Sequence, residues 1–140
     1  MECPDVPVSW GELIDKVTIL EIKAERIKRP QALANVEREH RLLHAIAAQV
    51  QGEVGVAALT ADLKHVNEQL WEIEDALREH EDATDFGLRF VELARSVYRL
   101  NDERAAIKRR INLLLGSELC EEKSYAEAAE QRPIFFSQVA

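Results

Sequence analysis

LTADLKHVNEQLWEIEDAL, residues 59–77, sets Leu59, Leu63, Val66, Leu70, Ile73 and Leu77 in steps of four and three without a miss. Such steps gather apolar side chains on one stripe of an α-helix, whereas a strand would need strict alternation. A stripe this narrow is the seam of a helix that coils against a neighbour. Downstream, Phe90, Leu93, Val97, Leu100, Arg104, Ile107, Ile111 and Leu114 repeat the spacing, with one arginine in the seam. Between the two, Asp82-Ala83-Thr84-Asp85 breaks the pattern and supplies two candidate helix caps. Gly116 suits the left-handed residue that closes a helix.

Upstream, Leu33, Val36, His40, Leu43, Ala47 and Val50 form another seam, followed by a turn at Gln51–Gly55. Pro30 opens that helix, since proline is tolerated in a first turn. The first seam is Leu13, Val17, Leu20, Ala24 and Ile27, behind Ser9-Trp10-Gly11-Glu12, which reads as a capping box. The spacing predicts helices over 8–29, 30–51, 56–82 and 86–116 and a C-terminal extension over 117–140. In the extension, Tyr125–Glu130 reads as a short helix and Ile134-Phe135-Phe136 as an apolar tail that docks on the bundle or on a partner. The expected fold is all-α: a single domain over 1–140, with about four helices in an antiparallel bundle. Its last two helices, about 39 and 45 Å long at about 1.5 Å per residue, form a coiled-coil-like hairpin that projects beyond the others.

The chain has 140 residues, 46% hydrophobic, 31% charged and 6% aromatic, which suits one globular domain. A net charge of −8 argues against a general nucleic-acid binder, which would need a basic surface. Cys3 and Cys120 are isolated and make neither a disulfide framework nor a zinc site. No apolar run reaches the roughly 18 residues a membrane span needs, and the acidic start, Met1-Glu2-Cys3-Pro4-Asp5, is unlike a secretory leader. A soluble cytoplasmic protein is expected.

Arg104 stands at a core position by register, and a buried guanidinium requires partners. Asn67, Glu68 or Glu72 on the facing helix can reach it, and Tyr98, Asn101, Lys108 and Asn112 run along its edge. Two readings stay open: a polar layer that fixes helix register, or the charged floor of a pocket for a carboxylate or phosphate. Glu68, Glu72, Glu74, Asp75, Glu79, Glu81 and Asp82 form an acidic block, and Arg95, Arg99, Arg104, Lys108, Arg109 and Arg110 a basic one, able to flank one seam with opposite signs. Ile14, Ile19 and Ile22 make the first helix apolar on most faces, so it needs cover twice, and a second subunit could supply the second cover. A homodimer follows from that reasoning.

Glu37-Arg38-Glu39-His40 matches half of a bundle di-metal motif, but no second copy faces inward. Glu72-Ile73-Glu74-Asp75 is half of an all-α pyrophosphohydrolase signature whose other half is missing, so neither a metal nor a cofactor is implied. Asp85-Phe86-Gly87 lacks the rest of a kinase, and no nucleophilic triad is in view.

Val8–Lys16 continuing through Thr18–Lys23, Val66–Asp75, Asn101–Lys108 and Glu121–Tyr125 together resemble a family of small bacterial helical proteins known only as a domain of unknown function. The resemblance runs from about Val6 to Tyr125, implies a compact helical fold and a bacterial source, and carries no activity. Those stretches contain more polar residues than a coiled coil needs. The first functional expectation is an accessory protein working through helix-to-helix contacts, as a homodimer or with a protein partner. The alternative is a binding protein or enzyme for a small anionic molecule, with Arg104, Lys108, Asn101, Tyr98, Asn67, Trp71, Glu74, Asp75, Asp15 and Lys16 as candidate ligand-binding residues.

Overall fold

A computed structural model describes residues 1–124, and within them the order is α1 (Trp10–Arg26), α2 (Pro30–Ala47), α3 (Val56–Asp82) and α4 (Leu88–Leu115). The described elements are all helical, and consecutive helices run antiparallel, as the seams require. The expected short helix at 125–130 and the apolar tail at Ile134-Phe135-Phe136 lie outside the described residues.

The ends differ from expectation for local reasons. Ser9 caps α1 by accepting from the Glu12 amide at 3.1 Å, but only half of the capping box forms. The Glu12 carboxylate turns instead to Lys108 Nζ at 2.7 Å, because a charged donor is a stronger partner than a backbone amide. α1 stops at Arg26, and Ile27 and Arg29 are extended. A residue before proline is held out of the helical region, so Pro30 imposes the break that it also exploits as the first residue of α2. Neither Asp82 nor Asp85 caps α4; Gly87 takes that position, and Asp85 Oδ1 accepts from its amide at 3.2 Å just outside the helix. Gly116 closes α4 with φ +60, where glycine carries no Cβ penalty.

The core draws Leu59, Leu63, Val66 and Leu70 from α3, Leu100, Ile107 and Ile111 from α4, and Leu13, Ile14 and Val17 from α1. α1 is the central helix and packs against the other three. Of Ile14, Ile19 and Ile22, the first and last are each 1% exposed or less within one chain, and Ile19 is half-buried. This chain's own helices therefore supply the cover of Ile14 and Ile22. α3 and α4, at 27 and 28 residues, are about 40 Å long at about 1.5 Å per residue, and α1, at 17, only about 26 Å. Arg26, the last residue of α1, lies beside Trp71 and Glu72. Past that point the α3–α4 groove loses its third helix.

Candidate functional site

A polar layer crosses the three packed helices near the middle of α1. Asp15 and Thr18 share a face of α1 at a spacing of three, and Asn67 sits opposite on α3. Thr18 Oγ1 donates to the Asp15 carbonyl at 2.7 Å, which leaves its lone pairs free to accept from Asn67 Nδ2 at 3.0 Å. Asn67 Nδ2 also donates to Asp15 Oδ1 at 2.8 Å. Both amide protons of Asn67 are thereby spent, so its Oδ1 must face the other way, toward Arg104 of α4, whose Nη1 donates at 3.4 Å. Asp15, Thr18 and Asn67 are buried, and Arg104 is half-buried.

Burial pushes the Asp15 carboxyl above its usual range, outweighing the Asn67 bond and the nearby Arg104 and Lys108 charges that pull it down. One turn along α4 from Arg104, Lys108 Nζ meets Glu12 at 2.7 Å, Glu121 at 2.8 Å and Asp15 at 3.8 Å. Burial by itself would lower the Lys108 pKa, but the bonds to Glu12 and Glu121 and the Asp15 charge carry it above the ordinary lysine value. Glu121 is held below the usual carboxylate range by its bonds to Lys108 and Lys123. α1 approaches α4 closely here: the Gly11 amide donates to Asn112 Oδ1 at 2.7 Å.

On the tip side of this layer, where α1 stops covering the groove, lies a cleft of about 520 Å³. Its walls are Ile19 and Ile22 from α1, Asn67, Leu70, Trp71, Glu74, Asp75 and Arg78 from α3, and Asn101 and Arg104 from α4. Spacings of three and four explain the α3 set, which occupies one face. Two guanidiniums and two carboxylates thus share one cleft, and none of the four forms an ion pair among the described residues. The acidic block of α3 and the basic block of α4 make no ion pair with each other either. Glu72 instead pairs with Arg26 at 3.4 Å, and Arg26 also stands 5.9 Å from the Trp71 ring centre.

Of the candidate residues read from the sequence, Asn67, Trp71, Glu74, Asp75, Asn101 and Arg104 meet in this cleft. Asp15 lies beneath it, joined through Asn67. Lys108 does not line it; it borders a separate cavity of about 220 Å³ with Asn112, Glu121 and Lys123. Tyr98 is exposed on α4, and Lys16 points outward to Glu39 at 2.8 Å. Arg78 was not among the candidates, although its signal was present: it is the single basic residue of an acidic stretch, four after Glu74. His40 is half-buried, with Nε2 lacking a hydrogen bond and Glu21 at 3.8 Å, and its ring lies 5.2 Å from that of His44.

No curated protein and no solved structure matches the chain. A family model does match, over residues 4–137, which carries the likeness past the Tyr125 limit suggested by the sequence motifs. The chain belongs to that family, a family of unknown function designated DUF6165.

Proposed function

We propose that this protein binds a small anionic molecule, bearing a phosphate or carboxylate, in the cleft between α1, α3 and α4, with Arg104 as the principal anion-holding residue. One observation carries the reading. A guanidinium has five N–H donors, and Arg104 uses one of them, at 3.4 Å, on an amide oxygen whose orientation is set from behind by Asp15 and Thr18. Its remaining donors and its charge are available in a partly desolvated site, where charge-assisted bonds to an anion are roughly twice as strong as neutral ones. The cleft volume of about 520 Å³ falls among small-molecule pockets, which span roughly 300–1,000 Å³. Ile19, Ile22, Leu70 and Trp71 offer apolar surface beside the polar groups.

The test is a thermal-shift and calorimetric screen against phosphorylated metabolites and carboxylic acids. A ligand at 100 times its Kd adds about 2.7 kcal/mol of stability, and Arg104→Gln should erase the gain. A panel without effect, or an effect undiminished in the variant, refutes the reading.

A second reading, a cytoplasmic helix-contact module that pairs with another copy, draws support from a different surface. α2 packs chiefly on α1 and leaves Leu42 and Ile46 exposed. Ile46 borders an apolar recess of about 360 Å³ with Val6 and Val8, whose cover by a second chain would remove apolar area from water. Mass in solution across a concentration series tests it; a strictly monomeric protein rejects it.

A further inference from the structure

The charges of the cleft alternate along its length. Arg104 bonds to Asn67 and so marks one end. Counted along α3 at about 1.5 Å per residue, Glu74 and Asp75 lie about 10–12 Å farther on, and Arg78 about 16 Å. Glu74 and Arg78 have the i,i+4 order most favourable to an intrahelical pair, yet they form no ion pair with each other. A site for a simple polyanion would not carry two carboxylates on the wall next to its arginine, because like charges facing a ligand select against it. A bipolar wall suits a bipolar ligand.

Resting on the anion-site reading above, we infer that the ligand is a zwitterion: a phosphate or carboxylate held by Arg104 and Asn101, joined by a short chain to an amine held by Glu74 and Asp75. The ammonium has three donors and the two carboxylates only acceptors, so their hydrogen-bonding needs match without a proton transfer. The chain between the charged ends would cross Leu70 and Trp71.

Titration calorimetry on the full chain, with paired probes, tests this. O-phosphoethanolamine is compared with ethyl phosphate, and 4-aminobutyrate with butyrate, so that each pair differs in the amine and the two pairs separate phosphate from carboxylate. In at least one pair the amine-bearing probe should bind at least tenfold more tightly. In Glu74→Gln/Asp75→Asn that ratio should fall to near one while the amine-free anion binds as well or better, since two repelling charges are gone. Both side chains are exposed, so helix content by circular dichroism should be unchanged. Equal affinities within both pairs in the natural protein would overturn the zwitterion and leave the anion site standing. Binding that survives Arg104→Gln, or no binding by any of the four probes, would overturn both.

Discussion

Replacing Gly11 by alanine should destabilise this protein, although helix propensity alone argues the reverse. Inside a helix alanine is favoured over glycine by up to about 1 kcal/mol. At Gly11, however, a Cβ would stand 2.5 Å from the Lys108 carbonyl oxygen and 2.9 Å from Asn112 Oδ1. Asn112 can rotate away, at the loss of its bond to the Gly11 amide, about 1 kcal/mol. The Lys108 carbonyl is backbone in mid-helix and cannot. Relief then requires α1 to lift from α4 where the buried Lys108 cluster ties them together, and overpacking of that kind costs about 1–3 kcal/mol. The propensity gain and the lost bond nearly cancel, so the net loss is about 1–3 kcal/mol. For a domain of this size each kcal/mol lowers Tm by about 4 °C, which gives a fall of about 4–12 °C. Urea unfolding followed by circular dichroism measures the change, with the m-value unaltered. Stability equal to or above that of the parent would refute the close approach of the two helices. Adding Asn112→Ala should not rescue the variant, because the backbone obstacle remains.

Leu63→Ala removes a fully buried side chain from the α3 seam and should cost about 2–5 kcal/mol by urea unfolding; a loss under 1 would mean the seam is not packed as described. Lys108→Met leaves Asp15 and Glu12 without their cation and should cost about 3 kcal/mol, with a negligible change contradicting the buried cluster. Asp15 has a native pKa above its unfolded 3.8, so the native state takes up its proton first as pH falls. Its contribution to stability therefore rises as pH drops through that raised value toward 3.8, and falls as pH rises. Relative to Asp15→Asn, the parent should gain stability on acidification over that window; a parallel pH dependence of the two would remove Asp15 as a titrating group.

The helices were legible because a seam is a local pattern: a 59–77 stripe with no missing position leaves one way to bury itself. What covers a helix is not local. Ile14 and Ile22 are buried within the chain while Ile19 is half-buried, and an apolar side chain carries no label saying whether its cover comes from the same chain. The capping box at Ser9 was readable, whereas the diversion of Glu12 to Lys108 needed the crossing of α1 over α4, 96 residues away in sequence. Arg104 announced itself as a charge in a seam. Its support from Asp15 depended on the register between α1 and α3, which no short window encodes. The cleft itself follows from unequal lengths, since Pro30 stops α1 while α3 runs on. Arg78 carries little site signal in the sequence, because an exposed arginine on a charged helix resembles decoration unless the groove beside it is open.

The buried layer could serve alignment alone, and Arg104→Leu separates that role from binding. Asp15–Asn67 joins α1 to α3, Asn67–Arg104 joins α3 to α4, and Glu12–Lys108 joins α4 to α1, so each helix pair is pinned near one level. Alignment is already secured by the first and last of these, which are shorter than the 3.4 Å bond of Arg104, the first of them fully buried. A leucine at 104 would therefore keep the register and, by replacing a half-buried charge with apolar surface, leave stability unchanged or raised. If the variant instead unfolds or loses its helical register, Arg104 is needed for the fold and its spare donors say nothing about a ligand. If it folds at full stability and loses anion binding, the guanidinium is kept at a cost the fold does not require, and the cleft is the reason.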